Sequence, residues 1–564
     1  MRFFAELKRR KVVQTAIIYL AAAWVLLQVA DLLLGILDVP RWALRLVFVL
    51  LVVGFPLALL LSWTHQLTAS GPRRELDADE QDEPKASRGK EARAAAGLPP
   101  EIDESIAVLP FANMSDDPSN LHFADGLSEE VLNLLSRMPG LRVVARTSSF
   151  AFRNRAVGAQ AISRELNVTH LLEGSVRRSG KRVRVAAQLI RGADASHLWS
   201  RSYDRDLEDI FAVQDDIASA VARELEIELR GGAAPRSWPT DPETYMRFLR
   251  GRQALDLASR DGYARAAAEF EAALAVDPRF APAWAALGMM YWGMANNSLV
   301  DYEDGARLAR ENSEKALEID PSLADPLALL GYLDVIQDTD RDGGMARLER
   351  ARQLEPHNPR ILTRHANASI RVGRLDDAIQ HCLQALRADP MSALAHAVYG
   401  NACYFAGRLK EAEAARRKVL ALSPGWMSGH FYLGRVLLAQ GRLEAALEEM
   451  QQEESEFWRL TGLALALHWL GRREDSDDAL QSLRALDAQG AASYQFAQIH
   501  ACRGEPDAAF EWLDRAVTWR DAGLTFLAVD PLLVPLHQDP RWERFLNRHG
   551  YQARPGHAAP NPAG

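Results

Sequence analysis

Two sets of side chains in this 564-residue chain are spaced as binding groups would be. The first is a cationic cluster, Arg177, Arg178, Lys181, Arg182 and Arg184, around a Ser-Gly turn. From Arg137 to Arg205 there are fourteen Lys and Arg against four Asp and Glu, a local balance of +10. Arg182 and Arg184 alternate with Val183 and Val185, so on a strand they share one face. Such a face suits an anionic surface, with phospholipid headgroups the readiest example. A solvated outer face is the plainer reading. The second set is Asn367, Asn401 and Arg435, each 34 residues from the next, with Tyr404 and Phe431 close by. Asn amides can bond an extended backbone, and a guanidinium can pair with a carboxylate.

Reaction chemistry finds less support. "GSVRRSGKR" has one residue too many between Gly174 and Gly180 for a phosphate loop, and no hydroxyl follows Lys181. It also lies between strand-like runs, so it reads as a hairpin turn. His122, His170 and His197 have neither metal-ligand spacing nor a nucleophile partner. Asp116 and Asp117 read as turn residues, and Asp125 or Ser128 as a helix cap. Cys382, Cys403 and Cys502 are too scattered for a disulfide or zinc framework and are expected to be buried. No catalytic residue, metal or other cofactor is expected. The net charge of −9 and the lack of a helix-turn-helix pattern speak against a nucleic-acid partner.

The elements that must position these groups fall into four stretches. The apolar runs 12–37 and 46–63 are long enough to cross a bilayer as a helical hairpin. In the first, roughly a dozen Val, Leu and Ile at about −0.3 to −0.6 kcal/mol each outweigh Asp31 at about 2.5–3.5 kcal/mol. Lys8, Arg9, Arg10 and Lys11 before the hairpin, with Arg73 and Arg74 after it, exceed Arg41 and Arg45 between the spans. That excess predicts a two-pass anchor over 1–65 in a bacterial inner membrane, with both ends cytoplasmic; the alternative places the bulk in the periplasm. Residues 66–101 are polar and predict a tether.

From 102 to 230, short apolar runs ending at turns alternate with amphipathic stretches. "SIAVLPF", "LRVVAR", "THLLEGSVRR", "KRVRVAAQLI" and "SHLWSRSYD" predict strands. "DGLSEEVLNLLSRM", "GAQAISRELN" and "LEDIFAVQDDIASAVARELEIEL" predict helices, giving a mixed α/β domain. The stretch "SIAVLPFANMSDDPSNLHFADGLSEEVLNLLSRMPGLRVVARTSSFAF" with "LLEGSVRRSGKRVRVAAQLI" resembles the TolB amino-terminal-like domain. In bacteria that domain often precedes helical repeats in signalling proteins, some with an adenylate cyclase or winged-helix module. The resemblance implies a fold and a setting and carries over no catalytic residue.

"GRLDDAIQHCLQALRADP", "GRLKEAEAARRKVLALSP" and "GRLEAALEEMQQEESE" set the rest. Gly373, Gly407 and Gly441 step by 34, as do Ala378, Ala412 and Ala446, and Pro356, Pro390 and Pro424. This step resembles the tetratricopeptide repeat. About eight helix pairs are expected over 241–521, stacked because no single pair can bury its apolar face. Residues 522–550 resemble the cap after such arrays, with Trp542 and Phe545 covering the last pair, and 551–564 are expected to be a disordered tail. The resemblance implies a superhelix whose first helices line a groove, with Asn367, Asn401, Arg435, Tyr404 and Phe431 facing it. The expected whole is a membrane-anchored adaptor for protein or peptide partners. The alternative is a sensor whose α/β domain binds a small anion or nucleotide and regulates a cyclase-like output.

Overall fold

The computed structural model describes residues 65–68, 71–74 and 104–549, with breaks at 116–119, 137, 139–140, 154, 156, 180–181, 207–209, 225–241, 258, 298, 338, 488–491 and 520. Two units, Met1–Glu101 and Ile102–Gly564, are distinct. In the first, β1 (His65–Thr68) and β2 (Gly71–Arg74) pair antiparallel, with His65 opposite Arg74. Apart from His65, the last residue of the stretch read as an anchor, they fall within the stretch read as a tether. Both expected spans lie outside the described residues, among which no helix is long and apolar enough to cross a membrane.

The second unit opens with a mixed sheet. β3 (Glu104–Val108) is buried on both faces, as its continuous apolar run requires. It pairs in parallel with β5 (Leu141–Val143) and β6 (His170–Ser179). β6, β7 (Arg182–Arg191) and β8 (His197–Asp206) continue antiparallel, and the two-residue β4 (Ala112–Asn113) adds to β6. The order is β5-β3-β6-β7-β8. On one face α1 (Leu121–Ser136) and α4 (Ile210–Glu224) bring Phe123, Leu127 and Ile217 onto Ile106, Val108 and Val185. On the other, Val144 and Phe152, which flank α2 (Arg146–Phe150), and Ile162 and Leu166 of α3 (Ala159–Leu166) pack with Ala107, Leu171 and Ile190.

Helix α1 starts ahead of both residues read as its cap. Asp125 and Ser128 lie inside it and are buried. Ser128 Oγ accepts from Phe111 N at 2.8 Å and donates to Ala124 O at 2.8 Å, tying the strand-exit loop to the helix. Asp125 pairs with Arg153; burial raises its pKa, and Arg153 opposes the rise.

Among the described residues, sixteen helices in eight pairs follow the sheet, ahead of the carboxy-terminal stretch. They are α5 (Pro242–Asp256) with α6 (Arg260–Val276), α7 (Ala281–Asn296) with α8 (Tyr302–Ile319), and α9 (Ala324–Ile336) with α10 (Arg341–Leu354). Next are α11 (Pro359–Arg371) with α12 (Leu375–Ala388), and α13 (Ala393–Phe405) with α14 (Leu409–Leu422). The last are α15 (Gly429–Ala439) with α16 (Leu443–Gln451), α17 (Glu456–Trp469) with α18 (Arg473–Leu486), and α19 (Ser493–Cys502) with α20 (Pro506–Thr518). Gly373, Gly407 and Gly441 turn the chain between partners at φ of 72°, 72° and 74°, where a side chain is strained. Ala378, Ala412 and Ala446 are fully buried where partners meet.

The repeats and the sheet domain share one core. Tyr245, Phe248 and Leu249 of α5, with Phe270 of α6 and Met290 of α7, join the cluster that covers the sheet. Gly126 of α1 is part of that fit, since a Cβ there would stand 2.4 Å from Leu249. A second seam lies at the end of the fourth pair. Ser148 Oγ donates to Asp389 Oδ1 at 2.6 Å and accepts from Met391 N at 2.9 Å, and Ala145 N donates to Ala388 O at 2.7 Å.

Candidate functional site: the face lined by the first helices

The 34-residue step puts equivalent side chains of successive first helices on one surface. Asn367 of α11 donates to Tyr332 OH at 3.1 Å, and its Oδ1 accepts from Arg371. Asn401 of α13 accepts from Arg416, whose guanidinium sits 4.5 Å from the Tyr432 ring. Burial lowers the Arg416 pKa to about 10. Both amides are thus engaged by arginines of their own neighbourhood.

Arg435, Tyr404 and Phe431 converge. The Arg435 guanidinium lies 4.9 Å from the Tyr404 ring centroid and 5.8 Å from that of Phe431. Phe431 is fully buried, with Trp458 4.9 Å away. Arg435 is 6% exposed, and its Nη2 donates to Asp530 Oδ1 at 3.2 Å.

Asp530 belongs to the carboxy-terminal stretch, which does more than close the end of the array. Two 3-10 turns, Ala522–Phe526 and Pro531–Leu536, precede α21 (Pro540–Arg548). Trp542 and Phe545 pack with Phe510 and Leu513 of α20. The end of the first 3-10 turn and the link after it also reach the first helices. Phe526 stacks on Phe405 of α13, with centroids 5.4 Å apart and planes at 22°, and the Arg371 guanidinium lies 4.4 Å from its ring. Asp530 Oδ1 also accepts from Leu532 N at 3.1 Å; Oδ2 accepts from Tyr494 OH at 3.1 Å and from Gln498 of α19. Four donors satisfy a carboxylate taken out of water.

Four contributors went unread in the sequence: Phe526, Asp530, Tyr494 and Gln498. Arg371 and Phe405 were findable, because they too are 34 residues apart on first helices. Nothing local marks Asp530, whose partner Arg435 is 95 residues away.

The cationic cluster is partly self-neutralised. Arg182 and Arg184 are exposed and share Asp204, at 2.6 and 2.7 Å. Arg177 Nε donates to Met114 O at 3.1 Å, Arg178 N donates to Ser115 Oγ at 2.9 Å, and Lys181 lies outside the described residues. Among the other candidates, His170 Nδ1 lies 2.9 Å from Thr169 Oγ1. The described residues hold no metal-ligand cluster. Cys382 and Cys403 are buried, and Cys502 is half-buried with Sγ 3.5 Å from Leu532 O. A separate cleft of about 440 Å³ is lined by Met345, Glu349, Arg352, His365, Arg374 and His381. In it the rings of His365 and His381 stack with centroids 4.2 Å apart.

Residues 335–402 match the tetratricopeptide repeat family. The matched stretch runs from the end of α9 into α13, within the eight helix pairs. The chain is 41% identical over 212 residues to "Putative adenylate cyclase 3" of Rhizobium meliloti (strain 1021), covering 37% of this chain and 36% of that protein. It is 42% identical over 73 residues to "TPR repeat-containing thioredoxin TTL4" of Arabidopsis thaliana, covering 13% of this chain and 10% of that one. The chain thus spans little more than a third of one of these relatives and a tenth of the other. Among solved structures it is similar to the human IFIT1 dimer with m7Gppp-AAAA, at 16% identity and a TM-score of 0.37, over 55% of this chain and 77% of that one.

Proposed function

We propose that this protein is a scaffold that holds protein segments along the first-helix face of its repeats, anchored in a bacterial inner membrane by residues 1–65. The observation that carries the reading is that this face already accommodates a stretch of polypeptide outside the α-helical repeats, with an aromatic ring on Phe405 and a carboxylate on Arg435. Binding there is non-covalent, and the anchor raises the effective concentration of whatever is bound at the membrane. A photo-crosslinking residue at Arg360 or Leu394, both exposed and equivalently placed on α11 and α13, is expected to give discrete protein adducts in cells. The same residue at exposed Leu486, at the end of α18, is expected to give none. Adducts only from Leu486, or none from the first helices, would overturn the scaffold.

The cyclase-named relative favours a second reading, in which the α/β domain binds a small anion or nucleotide and regulates a cyclase-like output. The exposed arginines Arg182 and Arg184 would take the anion. Its test is a nucleotide-dependent thermal shift of the full chain that is lost in Arg182→Glu/Arg184→Glu. The full chain is required, because the sheet domain completes its core on α5–α7.

A further inference from the structure

We propose that Phe526–Asp530 is a built-in competitor for the first-helix face, and that the external ligand of this face is a peptide with an aromatic side chain four residues ahead of a carboxylate. This rests on the scaffold reading and gives it a ligand chemistry. Two seats define the motif. The ring seat is built from Phe405 and Arg371, on α13 and α11. The carboxylate seat is built from Arg435, Tyr494 and Gln498, on α15 and α19. The same stretch of the chain fills both.

The fit leaves room for exchange. Arg435 Nε is buried without a hydrogen-bond partner, because Asp530 meets this guanidinium through a single oxygen that it also offers to its own Leu532 N. A carboxylate free of that backbone tie can take both Nε and Nη2, the geometry a guanidinium favours. Phe526 is only half-buried, so the ring seat opens towards solvent. The stretch is held by short 3-10 turns, which bond less well than an α-helix. Leu524, Leu527 and Leu533 of the stretch are buried in one cluster with Trp542 and Phe545, so an incoming peptide has to refill that cluster as well as the two seats. Because the competitor is tethered, an external peptide faces an effective concentration on the order of millimolar.

The experiment uses the full detergent-solubilised chain and a fluorescein-labelled peptide with the sequence of residues 524–533, read by fluorescence anisotropy. The variants Phe526→Ala/Asp530→Ala and the gentler Asp530→Asn weaken the tethered copy; far-ultraviolet circular dichroism selects whichever is folded. Expected is peptide affinity at least tenfold tighter for that variant than for the natural chain. Binding should be lost when Arg435→Met is added, or when the peptide's own Phe or Asp is replaced by Ala. Equal affinity for both chains, equal binding of a scrambled peptide, or no binding to any folded variant would overturn the competitor. Crosslinks from Leu394 together with any of those results would leave the scaffold standing and remove only this inference. Tenfold exchange without such crosslinks would support the competitor while removing the scaffold.

Discussion

Arg435 and Asp530 are paired at 3.2 Å, and both are almost wholly removed from water. Breaking such a pair from one side strands a charge, at a cost of about 3–5 kcal/mol. Arg435→Met and Asp530→Ala should each lower stability by that order in urea unfolding, and the double variant by less than the sum. Additive losses would show that the pair is not coupled. His365 makes a different demand. It is 5% exposed, and burial first, then His381, lowers its pKa to about 4. The unfolded chain takes up this proton near pH 6.5, and the folded chain only near 4. Stability therefore falls as pH drops through that window, by about 3 kcal/mol once complete. His365→Phe, which keeps a ring against His381, should flatten this part of the pH–stability curve. An unchanged slope would assign it to other groups.

At the scale of the element, the turn glycines carry the repeat. A Cβ on Gly407 or Gly441 would meet nothing within 4 Å, so the only obstacle to a side chain there is the left-handed backbone. Gly407→Ala should cost about 1–2 kcal/mol. Gly407→Asn should recover part of it, since Asn tolerates that conformation. Gly288 is the contrasting case. Its Cβ would lie 2.6 Å from Ser313 Oγ and 3.0 Å from Ala309 O, so it is there for close helix approach. The repeat was readable because glycine, alanine and proline answer local needs that recur with every pair. The strands of the sheet were readable for the same reason, as short apolar runs bounded by turns. The two-residue β4 and the five-residue α2 were not, being too short to show a period.

At the scale of the molecule, the sheet domain and the repeats behave as one body. Ile106 and Val185 of the sheet share a cluster with Phe248, Phe270 and Met290 of the first helix pairs. Isolated 102–230 should therefore expose the surface that faces α5 and bind a hydrophobic dye, while the full chain unfolds its sheet and first pairs in one transition. A cooperative, dye-silent fragment would count against this. The second seam can be tested alone. Ser148→Ala leaves the buried Asp389 without its short bond, and faster amide exchange is expected at Ala145 and Met391. On the proposed anchoring with both ends in the cytoplasm, trypsin added to intact spheroplasts should spare the repeats; their digestion would overturn that orientation.

The sequence by itself determined the repeat, its step and the strand–helix alternation of the sheet domain, because propensity, turn chemistry and apolar period act over a few residues. It also singled out Arg435 as a group suited to a carboxylate. Only the tertiary structure decided which carboxylate occupies it, and that one face of the sheet shares its core with the first repeats. Both depend on residues roughly a hundred positions apart in the chain. Their meeting is set by the geometry of stacked helices rather than by any local pattern.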